Sequence, residues 1–167
     1  MLTDLGPRVS TSSVDYEVEE LAAPVHPKNL ALVRYWSSKA DAAGIVHRRD
    51  IDPVDLKKII GGLFIVEPVD GGADLLYRLV GYQNENRLGM KCMGRRFSSC
   101  YAPGMAAHQI AFHIRVAASG KPAFLSGRLL GLDLEYVNFE ASYFPVRVEG
   151  GEGWQMMGGM YDLAETD

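Results

Sequence analysis

The pattern of hydrophobic and polar residues predicts antiparallel strands over the C-terminal part of the chain. In residues 137–143 apolar and polar side chains alternate strictly, which is the period of a half-buried strand. The apolar set, which we expect to face the core, is Val137, Phe139, Ala141 and Tyr143. A glycine-rich turn at 149–153 leads to a predicted last strand at 154–163, and AFLSGRLL at 123–130 predicts the strand that precedes both.

Two further strands are predicted earlier in the chain. LFIVEPV at 63–69 and LLYRLVG at 75–81 are apolar runs joined by a turn that contains Gly71 and Gly72, which indicates a hairpin. Two strands, then helix, then three strands is the order of an α+β domain with an antiparallel sheet. The pattern leaves open which faces of residues 75–81 and 154–161 point inward.

Two helices are predicted before these strands. The first begins near Pro27 and carries Leu32, Tyr35 and Trp36 on one face. The second has Asp52 at its N-cap and Pro53 at its first position, and Asp55 complements the positive end of the helix dipole. Because capping explains these two aspartates, we assign them no catalytic role.

A third and longer helix is predicted between Pro103 and Ser119. Its apolar stripe consists of Ala106, Ile110, Ile114 and Ala117, and His113 lies inside that stripe. We therefore expect the His113 imidazole to face the sheet. His108 and Phe112 point away from the stripe, and we expect both to be solvated.

Composition and charge narrow the class of protein. The chain has 167 residues, 47% hydrophobic and 23% charged, which suits one globular domain. A net charge of −4 gives no reason to expect nucleic-acid binding. There is neither a signal peptide nor an apolar run long enough for a membrane span, so we expect a cytoplasmic protein. We predict that the acidic residues 1–24 form a flexible tail, with a docking arm as the alternative.

Several motifs in a fixed order resemble one stand-alone bacterial family of PAS-like domains. Its members carry a Tyr–Trp helix, an R-x-D-I-D-P-x-D-L segment and a Y-R-L-x-G strand, which are matched here by Tyr35–Trp36, residues 48–56 and residues 77–81. The stretch from Phe139 to Glu165 is similar to the C-terminal PAS hairpin, with D-L-A-E in place of its usual D-I-T-E exit. The family's G-x-x-L-T-G is replaced by GMKCMG at 89–94.

The resemblance implies a fold and a broad role. We expect a PAS-like core at residues 62–167, with a five-stranded antiparallel sheet, helices over one face and a modest cavity. Residues 25–61 are expected to form an N-terminal helical extension. Such domains act as sensors or protein-interaction modules and few are enzymes, and this sequence contains no G-x-S-x-G, phosphate loop or H-E-x-x-H motif.

Two residues raise the question of a cofactor. Haem-binding PAS domains take an axial histidine from the long helix over the sheet, so His113 is the candidate ligand, although a hydrogen-bonded core histidine is the commoner situation. Cys92 aligns with the reactive cysteine of flavin-binding light sensors, but the asparagine before it and the Arg-Phe-Leu-Gln after it are absent. Cys92 and Cys100 have no zinc-site spacing, and we expect no metal. The sequence names no cofactor.

The remaining candidate site is the apolar face of the sheet. It is either an ordinary core or the wall of a ligand cavity. The predicted lining is His113, Tyr143, Phe139, Tyr77 and Met156. We predict a sensory or regulatory domain that binds a small molecule or a protein partner and signals in trans, with a homodimer through Tyr35 and Trp36 as one route. The alternatives are a ligand-free adaptor and then a haem or flavin sensor.

Overall fold

A six-stranded antiparallel sheet forms the centre of the domain. The computed structural model describes residues 15–130 and 138–164, and all statements of number below refer to them. The strands are β1 (Asp15–Leu21), β2 (Leu63–Val69), β3 (Asp74–Val80), β4 (Ala123–Leu130), β5 (Asn138–Arg147) and β6 (Trp154–Asp162). Their order across the sheet is β1-β4-β5-β6-β2-β3. The predicted α+β class and hairpin are confirmed, and the sheet has one strand more than predicted.

The additional strand comes from the predicted flexible tail. β1 pairs with β4 along its whole length, from Asp15 opposite Leu130 to Leu21 opposite Phe124. Gly127 permits this pairing, because a Cβ at that position would lie 2.0 Å from the Glu17 carbonyl oxygen. The tail prediction is therefore wrong for residues 15–21, whereas residues 1–14 lie outside the described part.

Four helices accompany the sheet. They are α1 (Pro27–Ser38), α2 (Tyr82–Leu88), α3 (Phe97–Cys100) and α4 (Pro103–Ser119). The second predicted helix is a short 3₁₀ turn at Pro53–Leu56, and the Asp52 carboxylate accepts a hydrogen bond from the Val54 amide at 3.0 Å, as its capping role requires. None of the described helices combines the length and hydrophobicity that crossing a bilayer requires.

The sheet is covered on both faces. Helix α4 packs on the face that carries Phe139, Ala141 and Tyr143, as the alternation predicted; Val137 lies outside the described residues. Helix α1 covers the opposite face, where Leu32 and Trp36 join a second core. Helices α2, α3 and α4 belong to one core, as expected for helices over one face, and the predicted N-terminal extension α1 folds back onto the other face.

A buried polar cluster fastens α1 to β5. The Glu140 carboxylate, which is inaccessible to solvent, accepts hydrogen bonds from the amides of Val25 at 2.8 Å and His26 at 2.9 Å. It also accepts one from Asn29 Nδ2 at 3.0 Å, and Asn29 Oδ1 accepts one from the Ser142 hydroxyl at 2.6 Å. Glu140 and Ser142, on the polar side of β5, are therefore buried with hydrogen-bond partners, whereas Asn138 at the end of the strand is exposed.

The buried face of α4 differs from the predicted stripe. Ile114 is 42% exposed and Phe112 is 7% exposed, the reverse of the expectation, whereas His113 is buried and His108 exposed as predicted. The buried residues are Met105, Ala106, Gln109, Phe112, His113 and Val116. Because α4 is apolar on several sides, packing against the sheet selected a face rotated by about 100° from the predicted one.

Candidate functional site

A small cavity lies between α4 and the sheet. Its volume is about 50 Å³. Its wall is formed by Tyr16, Phe64, Tyr77, Val80, Asn84, Leu88, Phe97, Tyr101, Met105, Gln109, His113, Phe139, Tyr143 and Met160. The residues of this wall come from the sheet, from α2, α3 and α4, and from the segment between α3 and α4.

The structure places four of the five predicted lining residues on this wall. They are His113, Tyr143, Phe139 and Tyr77. Met156 is fully buried in the same core but does not line the cavity. The cavity lies between the helix and the sheet, and His113 and Tyr143 are on its wall. Ligand binding by these residues stays a prediction.

His113 contributes one free polar atom to the cavity. Its Nδ1 lies 2.8 Å from the Gln109 carbonyl oxygen, and because a carbonyl only accepts, Nδ1 carries the proton. The ring sits among Phe97, Phe112 and Tyr143 in edge-to-face contacts. Burial lowers the pKa of His113 to about 4, so the imidazole is neutral at pH 7 and Nε2 keeps its lone pair.

Two buried nitrogens in the described part of the chain lack a hydrogen-bond partner, and both belong to this cavity. They are His113 Nε2 and Gln109 Nε2. Both side chains are more than nine-tenths buried, at 2% and 7% exposed. An unpaired polar group in such a position costs about 1–3 kcal/mol, so a molecule that bonded to both would be stabilised there.

Two tyrosine hydroxyls of the wall, unlike the two nitrogens, have each other as hydrogen-bond partners. Tyr77 and Tyr101 hydrogen-bond to each other, and burial raises the pKa of both phenols. Gln109 lies beside the Tyr101 hydroxyl. Burial also raises the pKa of Tyr143. The cavity therefore holds neutral hydroxyls throughout the physiological pH range.

Strand β1 meets α4 beside the cavity. Tyr16 lines the cavity, and its hydroxyl lies 3.3 Å from Nδ1 of His108 on the exposed side of α4. Four residues further along β1 and about two turns further along α4, Glu20 and Arg115 form an exposed ion pair at 2.9 Å. The strand that sequence reasoning placed in a flexible tail is thus one wall of the site.

Sequence reasoning missed several lining residues. Gln109 precedes His113 by four positions, and this spacing on a helix was a signal that could have identified it. Tyr16 alternates with Glu17 and Val18 in the manner of an edge strand, which was a second usable signal. For Asn84 and Leu88 on α2 we find no such signal, because their position depends on contacts remote in sequence.

The two cysteines form a buried pair outside the cavity wall. Both are free and inaccessible to solvent. A hydrogen bond between the two thiols lowers the pKa of Cys100 to about 7 and raises the pKa of Cys92. Since Cys92 does not line the cavity, a flavin held there would have no cysteine beside it.

The residues present do not fit a haem or a flavin. The cavity has a third of the volume of the ~150 Å³ apolar cavity that accepts benzene. A porphyrin or an isoalloxazine ring is several times larger than benzene. Within residues 15–130 and 138–164 no group of three or more His, Cys, Asp or Glu side chains is arranged to hold a metal ion.

The neutral state of His113 predicts a pH dependence of stability. The unfolded imidazole titrates near 6.5 and the folded one near 4, so the unfolded state binds the extra proton between these values. The contribution of neutral His113 to the free energy of unfolding is complete above pH 6.5. About 3 kcal/mol of it is lost as the pH falls to 4. The other ionisable groups on the cavity wall are tyrosines, which stay neutral over this range.

The measurement compares urea unfolding of the wild type and His113→Leu at pH 7 and pH 4. We expect the wild type to lose about 3 kcal/mol more than the variant, since all other ionisable side chains are common to both proteins. Equal losses in the two proteins would show that His113 is not held neutral in the core.

Comparison with known families agrees with this architecture. A family model for the PAS domain matches residues 25–161, which include α1, both cores and nearly all of the cavity wall. A search of curated proteins found no match to the chain. The matched region extends over most of the 167 residues. The chain belongs to the PAS domain family.

Proposed function

We propose that this domain is a regulatory sensor whose cavity takes a small molecule and whose surface reports the occupancy to a protein partner in trans. Membership of the PAS family indicates a sensory, regulatory or interaction role in general. The observation that carries the finer proposal is the pair of partnerless nitrogens on Gln109 and His113 inside the cavity.

A built binding site explains this pair better than an ordinary core does. Natural cores rarely leave buried polar atoms without partners, because each such atom costs about 1–3 kcal/mol. Here two of them line the same unfilled volume, four residues apart on α4. A ligand or an ordered water that bonded to both would recover this free energy.

The exposed face shared by β1 and α4 is the proposed reporting surface. Tyr16 lines the cavity and contacts His108 on the outer side of α4, so occupancy can change how β1 rests on the helix. Glu20 and Arg115 extend the same junction. A ligand shifts such an equilibrium only as far as it binds one arrangement better than the other.

The proposed homodimer needs a different surface from the predicted one. Trp36 is 9% exposed and its Nε1 donates to the Pro145 carbonyl oxygen at 2.9 Å. The Tyr35 hydroxyl donates to Asp55 at 2.8 Å. Both aromatic side chains are engaged within their own domain, so self-association stays a proposal without an assigned face. We keep the cytoplasm as the proposed compartment because both cysteines are free thiols.

Methionine methyl NMR tests cavity binding directly. Met105 and Met160 line the cavity, whereas Met157 lies in the core on the opposite face of the sheet and serves as a matched control. We would add xenon, acetamide, acetone and acetate to protein labelled at the methionine methyls. We expect at least one probe to shift Met105 and Met160 saturably and to leave Met157 unchanged.

The outcome separates a sensor from an adaptor. Binding should also shift the backbone amides of Tyr16 and His108, because these residues join the cavity to the proposed reporting surface. If no probe moves Met105 or Met160 more than Met157, the sensor proposal fails and the ligand-free adaptor takes its place.

A further inference from the structure

We infer that the cavity selects a small neutral molecule that carries both a hydrogen-bond donor and an acceptor, with a primary carboxamide as the simplest example. The donor of that molecule binds His113 Nε2 and its acceptor binds Gln109 Nε2. This inference rests on the proposed function, since it specifies the ligand of the same cavity.

The donor requirement follows from the hydrogen bond of His113 to its own helix. Nδ1 donates to the Gln109 carbonyl oxygen at 2.8 Å, which places the single proton of a neutral imidazole on that nitrogen. Nε2 is then an acceptor, and it lacks a partner among the described residues. A ligand must therefore supply an N–H or O–H group at this point.

The acceptor requirement follows from Gln109. Its Nε2 is a donor that makes no hydrogen bond of regular geometry with the described residues, and its side chain is 7% exposed. The Gln109 side chain lies beside the Tyr101 hydroxyl, which hydrogen-bonds to Tyr77. Residues four apart on a helix have Cβ atoms about 5–6 Å apart. Since both side chains line the same small cavity, one compact group with an adjacent donor and acceptor suits them.

Charge on the ligand is disfavoured by the rest of the wall. Among the lining residues there is no Lys or Arg to neutralise an anion, and no Asp or Glu to neutralise a cation. The lining is aromatic and aliphatic apart from hydroxyl, amide and imidazole groups. An isolated charge in such surroundings is strongly destabilised. The volume of about 50 Å³ restricts the ligand to a few heavy atoms.

Three probes of nearly the same shape test this ligand class. Acetamide has a donor and an acceptor, acetone has an acceptor without a donor, and acetate has a charge. We would titrate each into the wild type and follow the methyl signals of Met105 and Met160. We expect acetamide to bind at least tenfold more tightly than acetone or acetate, because one buried hydrogen bond is worth about a factor of ten.

Two variants assign the two hydrogen bonds. In His113→Leu, acetamide should lose its advantage and bind within about twofold of acetone, because the acceptor for its N–H group is gone. In Gln109→Met, acetamide and acetone should both weaken by about tenfold, because both use the donor for their carbonyl oxygen. Xenon binding to each variant, followed at the same methyl signals, verifies that the cavity is still formed.

The possible results are distinguishable. If acetone or acetate binds the wild type as tightly as acetamide, the ligand class is wrong although the proposed sensor function stands. If His113→Leu keeps the tenfold preference for acetamide, the assignment of the donor to His113 is wrong. If xenon and all three solutes fail to move Met105 and Met160, the proposed function fails and the inference fails with it.

Discussion

Phe139→Asp should unfold the domain at neutral pH, whereas Asn138→Asp should leave its melting temperature nearly unchanged. Phe139 is 2% exposed and lies in the core under α4, while Asn138 is exposed on the same strand. The substitution removes an aromatic side chain, which costs about 3–5 kcal/mol, and adds a charge without a partner. The sum is comparable to the whole stability of a typical domain, about 5–15 kcal/mol.

Thermal melting followed by circular dichroism measures both variants. Phe139→Leu completes the set, because it keeps an apolar side chain and should cost only about 1 kcal/mol. The comparison isolates the added charge from the loss of volume. Wild-type melting of Phe139→Asp would mean that the register of β5 is wrong.

Glu140→Ala should cost about 3–5 kcal/mol, which is the next largest effect we expect. The carboxylate is inaccessible to solvent and accepts hydrogen bonds from Val25, His26 and Asn29. Its removal takes the acceptor from the amides of Val25 and His26 and one of two acceptors from Asn29 Nδ2, which keeps the Glu140 carbonyl oxygen. Hydrogen bonds to a buried carboxylate are each worth about 1.5–3 kcal/mol. The loss of stability should appear first as opening of α1, because these donors lie at the N-terminal end of this helix.

Glu149→Ala is the matched control for this substitution. Glu149 has a side chain that is 86% exposed and an ion pair with Arg49 at 3.0 Å. Exposed pairs of this kind contribute about 0–1 kcal/mol. Urea unfolding gives the difference in stability, and hydrogen exchange reports whether the amides of residues 27–38 open first. Equal losses for Glu140→Ala and Glu149→Ala would show that the buried carboxylate does not hold α1 to the sheet.

Local chemistry made several elements predictable. Pro27 begins α1 and Asp52 caps the following turn, since these signals act within a few residues. Gly120 ends α4 with a φ of 68°, a backbone conformation that glycine adopts without steric cost. The period of two in β5 correctly placed Phe139 and Tyr143 on one face, because adjacent side chains of a strand always point to opposite sides.

The cavity was only partly predictable. His113 and Tyr143 were identified from their positions on a helix and a strand that had to pack together. The orientation of α4 about its own axis was not predicted correctly. Its apolar residues occur on more than one side, and either side satisfies the helical period. Gln109 was therefore not among the predicted lining residues, although it brings one of the two partnerless nitrogens to the cavity.

Neighbours in the chain were enough to predict the α+β class, the start of α1, the bounds of α4 and the common face of Phe139, Ala141 and Tyr143. Two features became clear only in the folded domain: residues 15–21 form the sixth strand, and α1 covers the second face of the sheet. Both depend on partners about a hundred residues away, such as Gly127 beside Glu17 and Glu140 beside Asn29. Local patterns do not encode such pairings, since they are stabilised only when the remote partners are already folded together.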